Sequence, residues 1–593
     1  MECDPDEEKV DMKTLYKSLS TKRKDIEKLD PIYLYQKDFD DGTYIISEMG
    51  HYVLKENIIF NPNPEHDYMP RPDQLKYKNM GFVLGFFAVI AIATEGVYLD
   101  LNGFSIKASK EFTLQQRFFS IIELANAPFL FGQGPSNFST PTSFQPAGNT
   151  IIRNGKLGLS SHHGIHGNMA SNILLEKLVI ENFEFVGVAL NGCHSILAHK
   201  VVVKDNRQDI PVLATYSAAR FGRMFAKRVL NMPQLSQQQK AELGKRLVAL
   251  ENEMNSTFEE VMQTGKTSSK LFRNESGLAD GNIYGFLVKN RGVAVDELVT
   301  PDPSIIKTKN VFLRKVKLSN LKCRVDEVLG LSQKGGLGTQ VDAAGAVLQI
   351  DKIKDENGIY RGTTLSDLQL YLAELSQLLS MPLGKLNITS DTVEWSKSGL
   401  PIQSLLEKGY FIKTGGDSMV HQGKSSFGYR FDAIDNLILD QCSFDTIKNS
   451  ACLGCDFPGC KMVDSNKRNG EYPGAGAVGL NLAYCSNVLI TNFKGKKVFS
   501  KDGEAVGIHV MFGSENVRLD DVDLSNIKAG TLCKGKWLGR NYQGKHVKYV
   551  NSLPNKKPRA YGVKYQNGSV TDIKDLSIHD LRSCEDFVKI FKY

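Results

Sequence analysis

Residues 164–206 read GIHGNMASNILLEKLVIENFEFVGVALNGCHSILAHKVVVKDN, and this stretch holds two consecutive copies of one pattern. A glycine stands eight residues before an anchor residue in each copy, Gly164 before Asn172 and Gly187 before Ser195. Apolar residues then follow each anchor at offsets of one, three, six and eight, and the two anchors are 23 residues apart. Within each pair of offsets the apolar residues are two positions apart, which indicates strands and not helices. A short repeat of such strands predicts a coiled parallel sheet.

The same template recurs along most of the chain. The anchors of its copies are Asn149 (a weak copy), Asn172, Ser195, Asn310, Asn436, Asn487, Asn516 and Val570. Asn or Asp often stands ten residues past the anchor, as Asn182 and Asp205 do. These residue types suit corners that need a left-handed backbone. The template therefore predicts an all-β solenoid of roughly 8–11 coils with α-helical insertions.

Interruptions of the template define the predicted domain organisation. The predicted segments are a flexible or docked N-terminal arm (1–41), N-terminal coils (42–206), a helical insertion (207–282), one further coil (283–321), a second insertion with a helix (322–425) and C-terminal coils with short insertions (426–593). Leucines at helical spacing predict the two inserted helices at about 236–262 and 366–379. Insertions of this kind leave from coil corners and decorate one flank of a solenoid.

The composition is that of an ordinary folded protein, with 41% hydrophobic and 23% charged residues among 593. Lys and Arg total 73 against 66 for Asp and Glu, a surplus too mild to indicate a nucleic-acid partner. The first residues are acidic and polar, so we expect no signal peptide. The longest apolar run (81–93) is too short to span a membrane. We therefore expect a cytoplasmic or virion location.

The repeat resembles the right-handed parallel β-helix of the pectate-lyase-like superfamily. The strand and turn LDLNG at 99–103 is typical of the start of such helices, and the resemblance covers roughly 42–206, 283–321 and 426–593. The chain also resembles uncharacterised β-helix proteins of large DNA viruses. The first resemblance implies a polysaccharide groove along an outer sheet, with Ca²⁺ as cofactor if the protein is a lyase and no cofactor otherwise. Fold resemblance alone carries no activity.

Period-two alternation in the glycine-led strands predicts a polar outward stripe. Its members are His166, Asn168, Asn191, Arg430, Asp432, Asn481, His509 and Lys564. We interpret this stripe as a candidate glycan-binding face, and His166, Arg430 and His509 as candidate catalytic residues. The alternative is a solvated sheet face, which needs polar residues for its own sake.

A second outward stripe, two residues past the anchors, is apolar. It consists of Leu174, Leu197, Phe312, Ile438 and Leu489. An apolar column of this length should not face water. We expect an inserted helix, another copy of the chain or a capsid partner to cover it.

Four cysteines raise the possibility of a zinc site. Cys442, Cys452, Cys455 and Cys460 could supply four thiolates, although the spacing is not that of two clean CxxC pairs. Cys442 also occupies an inward repeat position. The pattern therefore favours incidental thiols and no bound metal.

No legible set of catalytic residues accompanies the repeat. The sequence favours a non-catalytic structural or attachment β-helix protein, including a virion component, with glycan-binding capacity. The alternative is a polysaccharide lyase or glycoside hydrolase that acts on an acidic polysaccharide along an outer sheet.

Overall fold

The chain forms an all-β structure of parallel sheets with few helices. The computed structural model describes residues 10–129, 144–206, 216–272, 283–290, 307–323, 425–449, 476–500, 504–530, 559–583 and 588–592, apart from short gaps at 79, 83–84, 117–118, 217–218, 221–222, 225, 228–229, 231–236, 270–271 and 512. The described strands form two sheets, and the chain passes repeatedly from one to the other.

One sheet has eleven strands, and each is paired in parallel with its neighbours. In spatial order they are β2 (Tyr44–Ile46), β5 (Ala88–Ile92), β8 (Ser120–Glu123), β10 (His163–Asn168), β12 (Val186–Asn191), β15 (Ile283–Lys289), β18 (Ser426–Asp432), β21 (Ala477–Ala483), β23 (Ala505–Val510), β25 (Ala560–Tyr565) and β27 (Val588–Lys592). Spatial order follows chain order throughout this sheet.

The other sheet has sixteen strands. In chain order they are β1 (Ile32–Leu34), β3 (Gly50–Leu54), β4 (Ile58–Phe60), β6 (Val97–Asp100), β7 (Ser105–Ala108), β9 (Gly148–Gly158), β11 (Ser171–Glu181), β13 (His194–His199), β14 (Val202–Lys204), β16 (Thr308–Arg314), β17 (Lys317–Cys323), β19 (Ile434–Asp440), β20 (Ser443–Asn449), β22 (Ser486–Ser500), β24 (Glu515–Ala529) and β26 (Val570–Ser583). Long strands such as β11 pair with two shorter strands of the next repeat, β13 and β14.

The core between the sheets is a stack of equivalent positions from successive repeats. Ile165 is in register with Val188, Val188 with Phe286, and Phe286 with Tyr429. The residues that alternation predicts to face inward from this column are all fully buried, namely Ile165, Val188, Tyr429, Leu480, Ile508 and Val563. Alternation along each strand therefore predicts the core face correctly, because the side-chain period of a strand is two.

Left-handed residues mark the corners of the sixteen-strand sheet at intervals of five. Along β11 and directly after it they are Asn172, Lys177 and Asn182, with φ of 55°, 52° and 53°. The predicted corners at the anchor and ten residues later are confirmed in this coil. The middle corner was not predicted, because Asn, Lys, Gln and Asp all occupy it in different coils.

The glycine that recurs in successive strands of the eleven-strand sheet, such as Gly187, allows neighbouring backbones to approach closely. A Cβ on Gly187 would lie 2.7 Å from the carbonyl oxygen of Gly285 and 2.4 Å from Cγ1 of Val203. Gly285 belongs to the same column, and the template missed it because residues 291–306 separate it from the anchor Asn310.

Three α-helices are described: α1 (Met12–Ile26), α2 (Lys110–Gln115) and α3 (Gln237–Thr264). Short 3₁₀ turns occur at Gln36–Phe39, Pro64–His66, Leu75–Tyr77 and Met80–Phe82. The leucine stripe predicts α3 to within two residues at each end, and Leu243, Leu247 and Leu250 are buried. The second predicted helix, at 366–379, lies outside the described residues. No helix in the described part of the chain is long and apolar enough to cross a membrane.

Helix α1 packs on four of the five predicted residues of the apolar outer stripe, and the fifth, Leu489, is partly buried and lies outside this cluster. It begins at the cap Asp11, whose side chain accepts a 2.8 Å hydrogen bond from the Thr14 amide. Its inward residues Leu15, Leu19 and Ile26 pack against a row of strand residues. That row consists of Tyr98, Ile151, Leu174, Leu197 and Phe312, with Ile438 partly buried beside it. The cover is a helix, but it comes from the N-terminal arm and not from an insertion. A second copy or a capsid partner on this stripe stays a prediction.

Candidate functional site

A cavity of about 240 Å³ lies outside the eleven-strand sheet, over its N-terminal half. It is lined by Phe87, Phe119, Ser120, Glu123, Pro128, Phe129, His162, His163, His166, Asn168, Phe185, Ala189, Leu190, Asn191, Leu287 and Lys289. The lining draws on strands β8, β10, β12 and β15, on residues that flank them, and on Phe87, which directly precedes β5.

Glu123 and His166 form the central pair of this cavity. They are in register on the adjacent strands β8 and β10. Nδ1 of His166 lies 2.9 Å and 2.8 Å from the two carboxylate oxygens of Glu123. Ser120 donates a further 3.1 Å hydrogen bond to Glu123, whose side chain is only 2% exposed. The carboxylate holds one ring nitrogen, so the other nitrogen of His166 is directed away from it and available to a ligand.

Two further histidines line the same wall. The ring of His163 stacks on that of His166 with centroids 4.7 Å apart, and its Nδ1 lies 2.9 Å from Nδ1 of His162. Burial lowers the pKa of His163 well below its ordinary value of 6.5, and the neighbouring His162 and His166 lower it further. His163 is therefore uncharged at neutral pH, and it packs as a ring beside Phe185.

Two asparagines form a ladder at the far side of the cavity. Asn191 donates a 2.8 Å hydrogen bond to Oδ1 of Asn168, which in turn donates a 3.1 Å bond to the carbonyl oxygen of Pro128. Oδ1 of Asn191 is buried and has no hydrogen-bond partner among the described residues. Lys289 follows in the same column and is exposed. The site thus offers a free acceptor and a cation beside the imidazole of His166.

The eight predicted stripe residues lie in two neighbouring columns of one sheet. The first column contains Glu123, His166, Ala189, Leu287, Arg430, Asn481, His509 and Lys564, and the second contains Asn168, Asn191, Lys289 and Asp432. Ala189 and Leu287 interrupt the first column, so His166 is three strands, or about 14 Å, from Arg430. The structure does not bring the three predicted catalytic residues together.

The Arg430 end of the stripe is buried. Nε of Arg430 donates a 2.9 Å hydrogen bond to Asp432, and Arg430 and Asp432 are 6% and 1% exposed. The guanidinium also lies 5.1 Å from the ring centroid of Phe427. Burial, with the charges of Lys564 and Arg430, lowers the pKa of His509 well below 6.5. Arg430 and Asp432 therefore form an internal pair and not the wall of an open groove, and His509 and Lys564 in the same column are partly exposed.

Sequence reasoning missed Glu123 and Lys289. Glu123 precedes the first clear copy of the template, and the short run Ser120-Ile-Ile-Glu shows no polar and apolar alternation that could have placed it on the outer face. Lys289 stands four residues after Gly285, in the copy that the 291–306 segment interrupts. Both could have been found only by placing their strands beside β10 and β12.

The cysteines do not form a metal centre in the described residues. Cys442 is buried, donates through Sγ to the carbonyl oxygen of Leu313 at 3.3 Å, and burial raises its pKa to about 12. Such a thiol is a poor metal ligand, because the thiolate is the form that binds. The other three proposed ligands, Cys452, Cys455 and Cys460, lie outside the described residues. Within the ranges that the structure covers, no three His, Cys, Asp or Glu residues are grouped as metal ligands.

No protein-family model matches the sequence, and no curated protein matches it significantly. A solved structure of the catalytic domain of a GH87 alpha-1,3-glucanase in complex with tetrasaccharides is similar at 8% identity and a TM-score of 0.24, covering 99% of this chain and 69% of the glucanase chain. The Streptococcus pneumoniae surface protein and adhesin PfbA is similar at 9% identity and a TM-score of 0.25, covering 100% of this chain and 98% of the adhesin chain. At these TM-scores the similarities carry no conclusion about this chain.

Proposed function

We propose that the chain is a right-handed parallel β-helix with a non-catalytic structural or attachment role, as in a virion component, and that it binds a glycan in the Glu123–His166 cavity. The parallel, in-register stacking of successive strands supports the solenoid. The burial of Arg430 and Asp432 supports a single local binding site in place of a groove along the whole sheet.

The observation that carries the binding proposal is the chemistry of the cavity wall. Oδ1 of Asn191 is a buried acceptor without a partner among the described residues, and such an atom is costly unless a ligand donates to it. Four phenyl rings also line the cavity: Phe87, Phe119, Phe129 and Phe185. A sugar ring suits both features, because it carries hydroxyl donors around its edge and apolar C–H groups on its faces. The volume, below the roughly 300 Å³ of typical ligand pockets, fits one sugar unit.

A two-carboxylate glycosidase mechanism receives no support from the cavity. Such enzymes need a pair of carboxyl groups roughly 5–10 Å apart. Glu123 is the only carboxylate among the described residues that line the cavity. Its oxygens are also engaged by His166 and Ser120.

A glycan array tests the proposal, with product assays on the sugars that bind. We expect binding by the intact chain and its loss in Asn191→Leu, which removes the free acceptor together with the hydrogen bond to Asn168 and keeps the number of side-chain heavy atoms. Binding that is absent from every array, or that survives Asn191→Leu, would contradict the cavity as a glycan site.

A polysaccharide lyase is the second candidate, and the Glu123–His166 pair favours it. In this reaction the free ring nitrogen of His166 would take the C5 proton of a uronate. The electron pair would then form the C4–C5 double bond as the C4–O bond breaks, and the leaving oxygen would take a proton from water. Lys289 would offset the uronate carboxylate. Absorbance of unsaturated uronate products, measured with and without added Ca²⁺, distinguishes this candidate from simple binding.

A further inference from the structure

Three successive coils place lysine at the same corner of the sixteen-strand sheet. Lys177, Lys200 and Lys315 have φ of 52°, 55° and 55°. They directly follow Glu176, His199 and Arg314, which are in register on neighbouring strands. Adjacent lysines are therefore about 4.8 Å apart along the stack.

Lysine is an unfavourable choice at this corner for two reasons. Asparagine tolerates the left-handed region better than lysine, and other coils use it here, at Asn154 and Asn492. Like charges on adjacent strands also repel. None of Lys177, Lys200 and Lys315 forms an ion pair with another described residue. The corner thus carries two costs, and no ion pair with another described residue offsets the repulsion.

Helix α1 presents a second row of lysines beside this corner. Lys13, Lys17 and Lys24 are exposed. At about 100° per residue they lie within 40° of one another around the helix. Tyr16 and Arg23, on the flank between these lysines and the buried face, contact Glu176 at 3.1 Å and 3.4 Å. The lysine row therefore lies on the side of α1 that is nearer to the corner.

The nearby acids are already neutralised. Glu176 lies 3.2 Å from Nδ1 of His199 and 3.5 Å from Nε of Arg153, in addition to its contacts with α1. Asp440 pairs with Arg314 at 3.1 Å. The six lysines, which we name the basic corner, consequently form a concentrated cationic surface: Lys13, Lys17, Lys24, Lys177, Lys200 and Lys315.

We propose that the basic corner binds a linear glycan carrying sulfate or carboxylate groups, laid along α1. The proposal rests on the proposed attachment function and gives it an acidic class of receptor. Helix α1 offers about 22 Å of length to such a chain. A strand of negative groups would neutralise both lysine rows, which removes the repulsion within each row.

Nucleic acid is the less favoured polyanion. Proteins hold single strands by stacking bases on exposed aromatic rings. Tyr16, on the flank of α1 beside the basic corner, is half-buried and packed edge-on against His199 at 5.7 Å, so it offers no open ring face for a base. Its hydroxyl is also committed to Glu176.

Binding of heparin and of polygalacturonate to the full chain tests the proposal, measured by calorimetry at low and at physiological ionic strength. The test variant combines Lys177→Asn, Lys200→Asn and Lys315→Asn, which inserts the residue that other coils carry at this corner. The matched control combines Lys494→Gln, Lys496→Gln and Lys497→Asn, which removes the same charge from a later coil and includes another left-handed lysine.

We expect the test variant to bind at least one of the two polymers about tenfold more weakly than the intact chain, with the control unchanged and the melting temperature of the test variant equal or higher. An equal loss in both variants would show attraction by overall charge alone and would overturn the proposal. Tighter binding of single-stranded DNA than of either glycan at the same ionic strength would also overturn it. The Asn191→Leu variant separates the two sites, because it should lose the cavity ligand and keep the acidic polymer.

Discussion

Glu123 and His166 are 43 residues apart in the chain, yet both oxygens of the carboxylate lie within 2.9 Å of one imidazole nitrogen. The contact follows from the stacking of β8 on β10, which sets these residues in register. It fixes the orientation of the ring at the cavity wall. Whatever the cavity binds therefore meets a positioned imidazole and not a mobile one.

The first prediction concerns this pair. In Glu123→Gln the charge that holds the imidazole is lost while the side-chain volume is kept. We expect the dissociation constant of the cavity ligand to rise about tenfold, the effect of weakening one charge-assisted hydrogen bond. Titration with the best sugar from the array measures it. Glu48→Gln, at an exposed carboxylate, is the control. If Glu123→Gln binds the ligand with unchanged affinity, the Glu123–His166 pair does not contribute to binding.

The second prediction concerns the glycine column. Gly187→Ala would bring Cβ to 2.7 Å from the Gly285 carbonyl oxygen, a backbone atom that cannot move alone. We expect a loss of about 2 kcal/mol or more in the free energy of unfolding. Gly244→Ala is the opposite case, because a Cβ there, within α3, meets nothing within 4 Å. It should stabilise by about 0.5–1 kcal/mol. Denaturant unfolding of both variants gives the comparison, and equal effects would contradict the close approach.

The third prediction concerns the attachment of α1. Leu19 is 1% exposed and packs on the apolar stripe. Leu19→Ala should weaken the docking of the helix by about 3 kcal/mol, because it leaves a cavity against the sheet. Hydrogen exchange should accelerate in residues 12–26 while the strands stay protected. Ser18→Ala, at an exposed neighbouring position, should change exchange little. Uniform acceleration across the whole chain would show that α1 is part of the global folding unit.

The fourth prediction is the pH dependence of the same attachment. Burial raises the pKa of Glu176. The hydrogen bonds from His199 and Tyr16 and the positive charges of Arg153 and Arg23 lower it by more, so the pKa lies below its ordinary value of 4.5. Burial lowers the pKa of His199 below 6.5, despite the nearby carboxylate.

Both shifts act in the same direction. A carboxyl with a depressed pKa stabilises the docked state above its unfolded value, and this contribution is lost as pH falls through the folded pKa. A histidine with a depressed pKa also favours the folded state at higher pH, and its contribution begins to be lost below about 6.5. Hydrogen exchange in α1 should therefore accelerate as pH is lowered from neutral to below 4.5, after correction for the intrinsic rate. Glu176→Gln should reduce the dependence of this exchange on pH in the acidic range. If the dependence is unchanged in Glu176→Gln, titration of Glu176 is not its cause.

The sequence by itself determined the features that depend on local geometry. Alternation predicts the inward column through Ile165 and Val188, because a strand turns its side chains to opposite faces every residue. Asn172 and Asn182 predict left-handed corners, because their short side chains tolerate positive φ. The apolar column through Leu174 and Leu197 predicts a cover, since water does not favour such a surface.

Only the tertiary structure decided which distant residues meet. The helix that covers Leu174 and Leu197 is α1, and only the folded chain shows that it comes from the N-terminal arm. The cavity needs Glu123 beside His166, and that pairing depends on the register of strands in different repeats. His166 and Arg430 occupy equivalent positions on strands of the same sheet, with Ala189 and Leu287 between them. They do not form one exposed surface, because Arg430 is buried. Periodicity reports the face of a strand, whereas register and long-range packing decide its neighbours.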